Sequence, residues 1–244
     1  MKFTSLIHLL IMLSCSAALR AQEPSVAPGQ TPGSATNQAP ADATNTLAAP
    51  QVPGDIFTNS IDMVLIKSGD YWAGKFEVTQ KEFQAVMGSN PSQFTGDTRP
   101  VDSVNWQDAM SFCQKLTDTE LNAPSNALPK GFYYTLPTED EWQSLVGDAD
   151  LKDAVTSQSA PRSGTSPVGS LGPNSAGLYD VRGNVLEFCL GDTDKPYRVL
   201  RGGCWDDSIE VNLRPEFRVY ARPDESKNTF GFRVLLKRKA DDAK

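Results

Sequence analysis

Histidine is almost missing from this chain of 244 residues: there is one, His8, inside an apolar N-terminal stretch. If that stretch is removed on export, no imidazole remains. That excludes hydrolases that use histidine as a base, histidine zinc sites and facial-triad iron centres. Clusters of positive charge are missing too. The formal net charge is −7, and loss of Lys2 and Arg20 with the leader would leave 21 basic against 30 acidic residues, or −9. An acidic chain without runs of lysine and arginine does not suit a nucleic-acid partner, because neutralising phosphates needs them clustered. Long hydrophobic runs are absent as well. The apolar stretch at residues 6–13 is far short of the roughly 20 residues that a membrane span needs. With Lys2 before it and Ser14, Ser16, Ala17 and Ala18 after it, the stretch reads as a secretory leader over residues 1–21, cleaved after Ala18 or Ala21. MLSC at 12–15 is similar to a lipoprotein cleavage box, which would instead leave Cys15 as a lipid anchor. Cysteine is sparse. Beyond Cys15 there are Cys113, Cys189 and Cys204, an odd and widely spaced set that gives no disulfide framework and leaves a Cys189–Cys204 pair open.

Residues 22–55 are rich in Pro, Ala, Gln, Thr and Gly without an apolar period, and read as a disordered tether. Residues 56–237 are long enough for one domain with its own core, and 238–244 form a charged tail. Within the domain, DMVLIKSGDYWAG (62–74) predicts a hairpin. TQKE (79–82) is a capping box that opens a first helix through Phe83, Val86 and Met87. Asn105 caps a second helix in which Trp106, Ala109, Met110, Cys113 and Leu116 share one face, so Cys113 is expected in the core. TEDE (138–141) opens a third helix that buries Trp142, Leu145 and Val146.

Six blocks in order resemble the formylglycine-generating enzyme (sulfatase-modifying factor) family. They are EVTQKEFQAVMG (77–88), RPVDSVNWQDAMSFCQKL (99–116), YTLPTEDEW (134–142), GLYDVRGNVLEFC (177–189), RVLRGGCWDD (198–207) and NTFGFRVLL (228–236). The resemblance implies an α+β fold, irregular and loop-rich, of the C-type-lectin-like kind, and 18 Gly and 17 Pro suit it. The family's activity is oxidation of a sulfatase cysteine to formylglycine, using copper(I) held by two cysteines. Here the first of those positions falls at about Asp207 and the second near Asn212, so both offer oxygen where copper(I) needs soft thiolates. Copper is therefore not expected. Cys204 follows the Gly-Gly pair alone and would make a poor copper site. The iron-binding relatives that share the fold are excluded by the missing histidines.

The resemblance also implies one calcium ion at GNVLEF (183–188). Asn184 and Glu187 would be side-chain ligands, joined by the carbonyls of Gly183 and Val185, the alternative being a turn asparagine and a surface glutamate. Leu186 and Phe188 stand where the family prefers tryptophan, and residues 147–166 hold no convincing second calcium segment. The family's substrate groove would map to Trp205, Asp206, Asp207, Arg214, Arg218 and Arg222, the arginines offering forks for carboxylate, phosphate or peptide. Against that, Arg218 and Arg233 could form internal ion pairs with Asp180, Asp206 or Glu187 and fix loops. The expected function is that of an exported, monomeric, non-catalytic domain that binds a protein or saccharide ligand in the cell envelope. A copper-dependent oxidase acting on sulfatases and a structural envelope module are the alternatives.

Overall fold

The computed structural model describes residues 56–240, apart from 59, 124–127, 159–162 and 192–193, all within the compact unit Leu47–Lys244. The leader, the tether and Cys15 lie outside the described residues. Among the described residues no helix is long and apolar enough to cross a membrane.

Two small sheets and three helices carry the chain. In the first sheet β1 (Ile56–Thr58), β2 (Asp62–Ile66) and β3 (Tyr71–Gly74) form an antiparallel meander. The expected hairpin is β2–β3, with Ile66 opposite Tyr71 and Asp70 in the left-handed region at φ 53°. That sheet continues through β9 (Leu235–Arg238) to β4 (Phe132–Thr135), so the last strand lies between the third and the fourth. The second sheet runs β7 (Val219–Ala221), β6 (Arg198–Arg201), β5 (Leu186–Phe188), β8 (Phe230–Gly231), with β8 parallel to β5.

Each helix starts where the sequence places it. Thr79 caps α1 (Gln80–Met87), Asn105 caps α2 (Trp106–Leu121) and Thr138 caps α3 (Glu139–Val146). In all three a carboxylate three residues on, Glu82, Asp108 or Glu141, answers the cap backbone, so two otherwise orphaned N–H groups are satisfied per helix. The faces these starts fix then pack. Phe83 of α1 stacks on Phe112 of α2 at 5.7 Å between centroids, and Phe232 meets Phe112 edge-on at 5.3 Å. Cys113 and Leu116 are buried beside them, and Trp142, Leu145 and Val146 are the buried face of α3. Burying each such side chain contributes about 1.5–3 kcal/mol. The elements are short and the segments between them long, so loops make most of the surface: a mixed α+β fold of the loop-rich kind expected.

Candidate functional site

Two loops held by buried polar side chains form a cleft. The loop after α1, residues 88–100, is organised by Gln80, which is almost wholly buried. Its Nε2 donates to the carbonyls of Phe94 (2.7 Å) and Pro100 (3.1 Å), while its Oε1 accepts from Gly96 N and Asn90 Nδ2, both at 3.0 Å. Asp102 anchors the same loop by accepting from the backbone N–H of Gln93 (2.8 Å) and of Phe94 (3.3 Å). Opposite runs the segment 163–168, joined to the first loop where Val168 N donates to Thr98 O at 2.8 Å. Between them lies a cleft of about 500 Å³ lined by residues 93–95, Arg99 and residues 163–166. Gly164 lies flat against the Phe94 ring, where a Cβ would come within 2.6 Å of Cδ1.

The second wall is set by Asn184. Its Oδ1 accepts from Ser166 N (2.9 Å), its Nδ2 donates to Ser166 O (3.3 Å) and to Glu77 Oε2 (2.7 Å), and its carbonyl accepts from Trp205 N (2.8 Å). The residue sits at φ 58°, a left-handed conformation that asparagine tolerates better than most. Gly183 before it is at φ 87°, and a Cβ there would lie 2.6 Å from Val155 O, so only glycine fits. Glu77 also accepts from Val185 N at 3.0 Å.

The side chains expected to hold calcium are engaged with other partners. Asn184 and Glu187 share no partner: the first bonds Ser166 and Glu77, the second Arg233 and Trp142. Glu187 is buried in a bidentate pair with Arg233 (Oε1 to Nη2 2.8 Å, to Nε 3.1 Å), and its Oε2 accepts from Trp142 Nε1 at 2.8 Å. The guanidinium, which also donates to the carbonyls of Gly74 and Tyr179, supplies the positive charge an ion would bring. Gly183 and Val185 are engaged through their N–H groups, with Gly202 O and Glu77 respectively. The side-chain oxygens of Asn184 and Glu187 are thus committed to protein donors, and these two side chains do not fit a calcium site. Neither alternative at this motif, turn asparagine or surface glutamate, describes it fully: Asn184 is a loop clamp and Glu187 is internal. Both belong to a buried polar group that includes Asp180. Burial, with Asp180 and Glu187 beside it, pushes the Glu77 carboxyl well above its ordinary range, and burial raises Asp180 as well.

The segment after Gly202 and Gly203 holds the positions where the family's copper thiolates would stand. Asp207 and Asn212 face each other there: Asn212 Nδ2 donates to Asp207 Oδ1 at 2.7 Å, and Cys204 N donates to Asp207 Oδ2 at 2.7 Å. Cys113, Cys189 and Cys204 are all free and buried, so no Cys189–Cys204 bond forms. Burial and the neighbouring Asp207 push the Cys204 thiol up to about 12, and burial raises the other two further, so none is a thiolate at neutral pH.

The expected groove is not one surface. Trp205 is buried, its ring edge-on to Phe94 at 5.2 Å and its Nε1 donating to Asn228 O, so it backs the cleft through Phe94. Asp206 is exposed and its carbonyl accepts from Ser157 Oγ. Arg218 pairs with Glu139 of α3 at 2.5 Å, and the same carboxylate lies 3.4 Å from buried Arg201. Arg222 pairs with Asp224 on the surface, and Arg214 is exposed at the end of a 3-10 turn. Among the described residues no bond joins these three arginines to the Trp205–Asp207 segment. Internal pairing, the alternative reading, holds for Arg218 and Arg233, with Glu139 as the unforeseen partner of the first. Gln80, Asp102 and Arg99 went unnoticed because each bonds or faces a loop that has no periodic signal.

Similarity to known proteins agrees with this architecture. Residues 54–238 match the sulfatase-modifying factor enzyme 1-like domain. The chain is 27% identical to Chaperone protein LppX of Paenibacillus barcinonensis over 63% of this chain and 82% of that one. It is 30% identical to Inactive C-alpha-formylglycine-generating enzyme 2 of Bos taurus over 55% of this chain and about half (49%) of that one. Among solved structures, Treponema denticola variable protein 1 superposes with a TM-score of 0.60 and 28% identity, over 77% of this chain and 92% of that one. With the domain match running through the loops, clamps and sheets described above, the chain belongs to the sulfatase-modifying factor enzyme 1-like domain family.

Proposed function

We propose that the protein is an exported, non-catalytic member of this family that binds a protein or saccharide partner through the cleft between the two loops. The observation that carries the reading is the Asn212–Asp207 hydrogen bond of 2.7 Å, a polar contact where an oxidase would need two soft sulfurs. The three free thiols offer no substitute, since each is buried and protonated. Similarity to a relative named as inactive supports the same reading, as does similarity to one named as a chaperone. The apolar leader with Lys2 before it supports export.

The test is an anaerobic copper(I) titration of the mature chain, alongside incubation with a sulfatase-derived cysteine peptide followed by mass spectrometry. The expected outcome is no stoichiometric copper uptake and no aldehyde product. Turnover that disappears in Cys204→Ser would overturn the reading.

A further inference from the structure

The cleft between the two loops has a chemistry that the copper question does not touch. Among the described residues its lining is almost entirely hydroxyl, amide and backbone: Gln93, Thr95, Ser163 and Ser166 line it beside one aromatic, Phe94, and one cation, Arg99. Its volume of about 500 Å³ is that of a small-molecule cleft, which typically runs from about 300 to 1,000 Å³. Three features show that it is built. Gln80 and Asp102 hold one wall by buried hydrogen bonds, and Asn184 holds the other on both sides of Ser166. Gly164 keeps its backbone against Phe94, where any side chain would displace the ring. Most telling is Thr165, only 3% exposed in the cleft wall, whose hydroxyl has no hydrogen-bond partner. Buried hydroxyls are normally satisfied, so this one, shielded within the cleft wall and without a partner there, points to a ligand reached by a small shift of that wall.

Arg99 points the same way. Among the described residues no carboxylate pairs with it, although other arginines of the domain, Arg201, Arg218, Arg222 and Arg233, have acidic partners. A guanidinium without an internal carboxylate is a ready partner for one that arrives with a ligand. One positive charge matches one carboxylate. A doubly charged phosphate ester would leave excess negative charge in a protein already at −7.

We propose that this cleft binds an acidic sugar, a hydroxylated ring bearing one carboxylate as in a uronic acid residue of a glycan. The carboxylate pairs with Arg99, ring hydroxyls reach the Ser and Thr side chains and Gln93, and the apolar face of the ring lies on Phe94. The assignment rests on the non-catalytic binding role proposed above and gives it a ligand class.

The experiment titrates the mature chain with sodium glucuronate, with glucose and butyrate as the two halves of the chemistry, by calorimetry and by ligand-observed NMR. Saturable glucuronate binding at least tenfold tighter than either control is expected. Arg99→Gln should weaken it at least tenfold. Thr165→Val should weaken it several-fold with a melting midpoint no lower than that of the wild type, because the buried hydroxyl it removes bonds nothing in the protein. Arg222→Gln, outside the cleft, should bind as wild type. No saturable glucuronate binding overturns the assignment, and so does unaltered affinity in Arg99→Gln. Butyrate binding as tightly as glucuronate overturns the sugar and indicates a peptide carboxylate. Copper uptake in the titration above would sink the non-catalytic reading instead, so the two failures are distinguishable.

Discussion

At the scale of single residues, the buried polar group around Asn184 decides how the loops lie. Asn184→Ala would strip two bonds from Ser166 and one from Glu77 while forcing alanine into a left-handed conformation. A lost buried partner costs about 1–3 kcal/mol and the backbone about 1–2 more, so urea unfolding should show a loss of about 2–5 kcal/mol. Because Glu187 is already neutralised by Arg233, calcium or a chelator should leave the melting midpoint of the wild type where it was. A midpoint that climbs several degrees with calcium would show that the pair opens to admit the ion. Asp180 offers a different test. Its Oδ2 accepts from Gly169 N at 2.7 Å, but its buried Oδ1 has no partner. Burial raises its pKa above the ordinary 3.8, so the folded state holds this proton more tightly than the unfolded chain does. The resulting stability is complete below about pH 4 and is lost as pH rises through the folded pKa. Asp180→Asn keeps the acceptor and accepts the φ of 53°, so relative to wild type it should gain stability as pH rises over that window. Parallel melting curves from acid to neutral pH check this. A variant that instead lost ground with rising pH would mean that Asp180 is ionised in the fold.

At the scale of elements, what could be read in advance and what could not divide along a physical line. Helix starts are local: a Thr or Asn, a carboxylate three residues on and an apolar face four residues wide fit within a dozen residues, and α1, α2 and α3 begin as expected. The burial of Cys113 and Trp142 followed from the same spacing. The cleft follows no such rule. Gln80 reaches Phe94 across a loop, Asp102 reaches back to Gln93, and Asn184 reaches Ser166, so its walls are set by contacts between segments with no periodic pattern. The groove expected along 205–222 failed for a related reason. Arginines spaced along 214–222, all outside β7, look the same in sequence whether they face a ligand or Glu139. The local logic is itself testable. Thr79→Ala and Thr138→Ala should each cost about 0.5–2 kcal/mol. The caps share no partners, so the double variant should lose close to the sum in denaturant unfolding. A clear shortfall in the double variant would mean that α1 and α3 stabilise each other.

At the scale of the whole molecule, stability and binding surface are drawn from different parts of the chain. The aromatic core between α1, α2 and the strand ends is apolar and buried, while a second, polar core of Glu77, Asn184, Asp180, Glu187 and Arg233 ties the loops to it. Such networks leave little slack. A substitution in the polar core is therefore expected to act on both stability and the cleft, whereas one at Arg99 or Thr165 touches only the cleft.

The position of β9 has a consequence in time rather than in space. Trp72 of β3 finds its partner in Leu236, and Tyr134 of β4 finds the other side of the same residue. Neither neighbour can be joined until residues 235–238 have left the ribosome, so the first sheet stays split in two throughout synthesis of the domain. Loop closure over that span is slow. If the chain is exported as proposed, the delay would serve it, since a polypeptide whose central strand arrives last is still unfolded, and can still be threaded, when it meets a membrane.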